Sequence, residues 1–221
     1  MPHSTSDILN KKPHRINSDE NRTLFYQPLK SILSRLNSIP NPDPTVLRKC
    51  SRCHARSQEQ LYKDFYAYAL SVTLRFIPSR EDAREVVNDV FIKVFTRLKI
   101  EIPDNFTGWL RRIVVHTAVD RYRANRTRKE LHSDIGEPLP LPVPEEILDQ
   151  LNAEDILKLL DQLNETPRMV FILYEIEGYH HDEIAGMLQI EATTSRSHLF
   201  RAKAFLRNSL LNLTLHERNA G

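Results

Sequence analysis

The sequence predicts an all-α protein: two small helical domains joined by a flexible linker. Three observations carry this expectation. Apolar residues recur at spacings of three and four through each long segment, the signature of amphipathic helices. Only five glycines interrupt 221 residues. One stretch, HSDIGEPLPLPVPEEILDQ (132–150), holds four prolines and several acids, a composition that stays extended and builds no core.

The chain divides into a poorly ordered tail (1–45), a first helical domain (46–130), a Pro-rich acidic linker (131–150) and a second helical domain (151–215). The tail is polar and proline-dotted; Leu24 to Leu36 has the pattern of one short helix, and the rest buries too little apolar area to offset its ordering entropy. Composition is that of an ordinary soluble protein, 40% apolar and 27% charged. With a net charge of only +2, any nucleic-acid footprint must come from local clustering. No apolar run approaches the roughly 20 residues of a membrane span, so no membrane insertion is expected. The start, MPHSTSDILNKKPHR, lacks the apolar core of a secretory signal. A cytoplasmic location follows as an expectation, with thiols kept reduced.

Cys50, Cys53 and His54 spell CxxCH, the attachment signature of a covalent haem. Such attachment needs export, and a structural zinc site wants four ligands where no second cysteine pair exists. These residues read instead as the first turns of a helix continuing through SQEQLYKDFYAYALSVTLRFI, and neither metal nor cofactor is expected. Leu61, Phe65, Tyr68, Val72 and Phe76 keep one face of it apolar, and Pro78 ends it. Ser79 caps the next helix, with Asp82 completing a capping-box variant. Ala83, Val86, Val87, Val90, Phe91, Val94, Phe95 and Leu98 follow the 3.6-residue period; Glu81, Glu85, Asn88, Asp89 and Lys93 form its outer face. After a loop from Lys99 to Thr107, a helix begins near Phe106, with Trp109, Leu110, Ile113, Val114 and Ala118 inward. Arg111, Arg112, Arg121, Arg123, Arg126, Arg128 and Lys129 make it the basic focus of the chain, suited to phosphate contact and base stacking.

In the second domain, Ile156, Leu157, Leu160 and Leu163 give one amphipathic helix. Thr166 is read as the N-cap of the next, with Pro167 in its first turn. Its apolar run, Met169 to Ile176, stops at Gly178. A short helix starts near His180, with Asp182 and Glu183 in its first turn. A turn at Gln189 to Thr193 leads into a third helix buried along Leu199, Ala202 and Leu206. Short helix, tight turn and longer helix with a polar outer face make the helix-turn-helix plan, whose second helix enters a DNA major groove.

The two domains together resemble the extracytoplasmic-function (ECF) group of sigma-70-type transcription initiation factors. The runs LYKDFYAYALSVTLRF, AREVVNDVFIKVF and FTGWLRRIVVHTAVDRYR look like that group's promoter-melting domain, sigma region 2. LNETPRMVFILYEIEGYHHDEIAGMLQIEATTSRSHLFRAK looks like its helix-turn-helix domain. The resemblance implies that Glu85, Asn88, Asp89 and Lys93 dock on the clamp of the large subunit of core RNA polymerase. It also implies that Asn105, Phe106, Arg111, Arg112, His116, Arg121, Arg123 and Arg126 engage the −10 element and its nontemplate single strand. Thr193, Thr194, Arg196, Ser197, His198 and Arg201 would then read the −35 duplex. Arginines suit guanine edges or phosphates, and hydroxyls suit phosphates. Three residues depart from the group's habit: His116 replaces a frequent asparagine, Gln189 a glycine and Phe200 a polar residue. Many members are held inactive by a membrane-bound anti-sigma factor, so that class of partner is open to this chain. The linker's acids (Asp134, Glu137, Glu145, Glu146, Asp149) fit either a segment threaded through a basic polymerase channel or a solvated spacer.

The implied activity is that of a transcription specificity subunit, not an enzyme. No glycine-rich phosphate loop, nucleophile elbow or zincin motif is present in the sequence. The alternative is a stand-alone helix-turn-helix regulator, which accounts for residues 166–206 but leaves the first domain without a role.

Overall fold

The computed structural model describes residues 39–129 and 153–219, which are helical throughout apart from short connections. They fall into two separately packed bodies, one on each side of the linker. The tail helix read at Leu24–Leu36 and the linker itself lie outside the described residues.

In the first body, α1 (Pro44–Ser51) is capped by Asp43, whose carboxylate accepts from Thr45 N at 2.7 Å. This opening is set by residues expected in the tail. Asn41 Oδ1 likewise accepts from Thr107 N at 3.0 Å, so at least residues 39–45 belong to the folded body. The expectation of one helix running through Cys50, Cys53 and His54 is overturned. Cys50 is in the last turn of α1, Cys53 takes a left-handed conformation (φ 60°), and His54 is the N-cap of α2 (Ala55–Phe76). Cys53 N–H donates to Cys50 O at 3.0 Å and His54 N–H to Lys49 O at 3.1 Å. This hydrogen-bond pair is the Schellman stop, normally built on glycine.

Helix α3 (Arg80–Leu98) starts at Ser79, whose Oγ accepts from Asp82 N at 3.3 Å. Helix α4 (Phe106–Lys129) follows a loop closed by Asn105, whose side chain accepts from Gly108 N at 3.0 Å. Helices α2, α3 and α4 pack pairwise, and α1 lies against α2 and α3. Their shared core is the set read from periodicity, from Leu61 and Phe65 through Val87 and Val94 to Leu110 and Val114, all essentially inaccessible. Two assignments shift: Trp109 and Phe95 are only half-buried, each set at the rim beside a buried phenylalanine, Phe106 and Phe91.

In the second body, α5 (Ala153–Asp161) buries Leu159 and Leu160, while Leu157 is half-buried. The N-cap of α6 (Glu165–Phe171) is Asn164, not Thr166. Pro167 is accommodated one turn in because the first N–H groups of a helix have no partner to lose. Helix α6 widens into one π-helical turn, Ile172–Ile176, closed by Glu177 N–H to Ile172 O at 3.0 Å. Gly178 (φ 82°) then reverses the chain, and Tyr179 N–H reaches Leu173 O at 2.9 Å. Helix α7 (His181–Leu188) is opened by His180 N–H donating to Glu183 at 2.8 Å. Helix α8 (Ala192–Asn219) begins two residues earlier than the expected turn allows, so Thr193 already lies in its first turn.

The α7–α8 turn hinges on Gln189, left-handed at φ 56°, with Ile190 N–H on Ala185 O at 3.1 Å. A non-glycine residue there costs about 1–2 kcal/mol of strain, against about 0.5–1 kcal/mol of extra entropy that a glycine loses on folding. Gln189→Gly is therefore expected to stabilise this body by about 0.5 kcal/mol, read as a raised midpoint in chemical denaturation.

Candidate nucleic-acid and polymerase interface

The outward stripe of α8 is built by what the opposite face must bury. Ser195, Leu199, Ala202 and Leu206 are inaccessible against α6 and α7, which leaves Thr193, Thr194, Arg196, Ser197 and Phe200 exposed. Four of the six residues expected there, Thr193, Thr194, Arg196 and Ser197, share the exposed face with Phe200, which is 60% exposed. His198 and Arg201 are half-buried on its flank. Ser197 Oγ bonds back to Thr193 O at 3.2 Å, so its hydroxyl hydrogen is engaged within the helix. The stripe is held stiffly. Ser195 Oγ meets His181 Nδ1 at 2.9 Å, and the His181 ring stacks on Tyr174 at 4.3 Å. Lys203 pairs with the buried Glu175 at 2.7 Å, tying α8 to the π-helical turn. Arg168, almost fully buried, pairs with Asp161 at 2.6 Å, tying α6 to α5. Burial pulls the Arg168 guanidinium below its ordinary range, and Asp161 opposes that shift.

On the first body, Glu85, Asn88 and Asp89 are exposed along α3, one turn apart. Asn88 accepts from Tyr62 OH at 3.0 Å. The sequence reading missed Ile92, which is 65% exposed and continues this stripe by one turn; the available signal was that Ile92 falls outside the buried period. Lys93 departs from the expected outer face. Its ammonium reaches across to α4, to Thr117 Oγ1 at 3.2 Å and Asp120 Oδ2 at 3.1 Å, because its stem lies in the α3–α4 seam.

The basic helix is less available than its composition promised. Arg121 places one guanidinium nitrogen 2.8 Å from both Asp82 and Glu85, a double pairing that raises its pKa. Phe106 is fully buried, edge-on to Phe65 at 4.9 Å; it is a core residue and offers no surface to a strand. Asn105 is exposed and Arg111, Arg112 and Arg123 are half-buried, while Arg126 is exposed near the end of α4. His116 is half-buried on α4. Desolvation by burial lowers its pKa from the ordinary 6.5, and Asp120 opposes the shift only in part.

A helix-turn-helix body with an open polar stripe, separate from a helical bundle with its own basic helix, defines a DNA-binding transcription protein. The comparisons with known proteins give the family. Residues 61–128 match "Sigma-70 region 2" and residues 153–206 match "Sigma-70, region 4". The ECF RNA polymerase sigma factor SigE of Mycolicibacterium smegmatis is 29% identical over 70% of this chain. The ECF RNA polymerase sigma-E factor of Escherichia coli is 29% identical over 63% of this chain and 79% of its own length. The RNA polymerase sigma-H factor of Pseudomonas aeruginosa is 26% identical over 76% and 93%. The chain matches 62% of the length of the M. smegmatis protein. This protein belongs to the ECF group of the sigma-70 family of RNA polymerase sigma factors.

Among the described residues, no group of three or more His, Cys, Asp or Glu side chains is placed to hold a metal ion. No described helix is long and apolar enough to cross a membrane.

Proposed function

We propose that this chain binds core RNA polymerase and directs it to promoters, with the first body at the −10 element and α8 at the −35 element. The observation that carries this reading is the pairing of two sigma regions in one chain, each with an exposed stripe of the right chemistry. The α3 stripe Glu85–Asn88–Asp89–Ile92 is the polymerase-docking surface: acids and an amide around one exposed aliphatic side chain suit a basic helical partner with an apolar anchor point. Asn105, Arg111, Arg112, Arg123 and Arg126 remain the strand contacts. Phe106 and Arg121 act behind them, as core and as α3–α4 clamp. The chain works in the cytoplasm, as a non-enzymatic subunit, with an anti-sigma factor as a further partner class.

Purified chain mixed with bacterial core polymerase should co-elute with it and give start-specific transcripts from a genomic promoter library. Binding to operator-like DNA without polymerase, and no association with core, would instead establish the stand-alone regulator.

His116 provides a pH test of the first body. Its folded pKa lies below 6.5, so the unfolded chain takes up the proton first as pH falls. This group's contribution is complete above about pH 6.5 and is lost as pH drops through and below that value. His116→Asn should flatten that part of the melting-temperature profile of the first body. An unchanged slope would assign the dependence elsewhere.

A further inference from the structure

Cys50 and Cys53 are the chain's only cysteines, and nothing in the sigma-factor reading uses them. Cys50 is fully buried in the last turn of α1, and burial pushes its thiol pKa up. Cys53 is exposed, three residues on, at a left-handed position where glycine would be unstrained. The hydrogen bond from Cys53 N–H to Cys50 O (3.0 Å) closes the four-residue turn between them. Such a turn holds its end Cα atoms within about 7 Å, the separation a disulfide can span. No third ligand joins the two thiols among the described residues, so a redox pair is favoured over a metal site.

We infer that Cys50 and Cys53 form a redox modification site, closed to an intramolecular disulfide by a hydroperoxide. The exposed Cys53 sulfur attacks the peroxide: an S–O bond forms, the O–O bond breaks, and the departing oxygen leaves as water or alcohol. The Cys50 sulfur then attacks the resulting sulfenic acid. The S–S bond forms, the S–O bond breaks, and the hydroxyl leaves as water with the Cys50 proton. Two thiols lose one electron pair in total and the peroxide gains it. A thiol reductant reverses the bond. The buried Cys50 side chain must leave the packed face of α1, which lies against α2 and α3, to reach Cys53, so oxidation loosens α1 on the body that carries the α3 stripe.

The test uses the full chain and hydrogen peroxide. Arg52 lies between the cysteines, so trypsin separates CSR from CHAR. After oxidation these two peptides should appear linked, about 2 Da below their summed mass, and part on reduction. In Cys53→Ser, Cys50 should remain an alkylatable thiol under the same exposure. In Cys50→Ala, Cys53 should accumulate as a dimedone-trapped sulfenic acid. The oxidised wild type should melt at a lower temperature than the reduced chain and recover with dithiothreitol. Wild-type Cys53 passing to sulfinic acid while Cys50 stays reduced would overturn the site. A higher melting point for the disulfide form would overturn the loosening of α1. Neither readout involves polymerase, so failure here leaves the sigma-factor reading intact and failure of that reading leaves the chemistry standing.

Discussion

Phe106→Ala is expected to destabilise the first body by about 3–5 kcal/mol, the usual cost of emptying a buried phenylalanine site. The ring is inaccessible, stands edge-on to Phe65 at 4.9 Å and lies 5.8 Å from Trp109. It closes the core where α4 begins, so its loss also frees the loop that Asn105 caps. Chemical denaturation should show one lowered transition for residues 39–129 and an unchanged one for the second body. Asn105→Ala separates structure from strand contact at the same corner. It removes a helix cap worth about 1 kcal/mol and leaves the core intact, so a larger deficit in promoter opening than in duplex binding would then report a role at the strand. If Phe106→Ala left stability within about 1 kcal/mol of wild type, the core assignment would be wrong.

That corner also shows what the sequence could and could not reveal. Periodicity located the buried faces of α2, α3 and α4, because each must meet two others and a regular stripe is the only way to do so. It could not place Phe106, which sits at the first position of a helix where the period has barely begun. Composition marked α4 as basic but was blind to pairing. Arg121 lies 39 residues from Asp82 and 36 from Glu85, and only the α3–α4 packing brings them together. Lys93 is the same case, drawn off its polar face by Thr117 and Asp120. The turns were half legible. Gly178 announced its left-handed stop, whereas Cys53 and Gln189 adopt the same conformation with side chains that disfavour it, so no residue preference marked them. Ile92 was visible as an aliphatic residue out of phase, a signal that has meaning only once the stripe beside it is assigned a partner.

Arg196→Ala is expected to weaken promoter binding by the reconstituted holoenzyme by about 1–3 kcal/mol, roughly five- to 150-fold. Arg196 is exposed in the second turn of α8, the part of a recognition helix that meets base edges. The loss should fall on one or two base pairs of the −35 element: substituting those pairs should cost the wild type heavily and the variant little. A uniform loss across all sequences, with a shallower salt dependence, would make Arg196 a phosphate contact instead. Phe200, one turn further along the same stripe and 60% exposed, provides the internal comparison, since it has no hydrogen bond to give and only a thymine methyl to meet in the groove. Replacing −35 thymines by uracil should weaken wild-type binding and leave Phe200→Ala indifferent to the change. Equal sensitivity in both proteins would place Phe200 off the DNA and tilt the recognition helix so that Arg196 alone carries the reading.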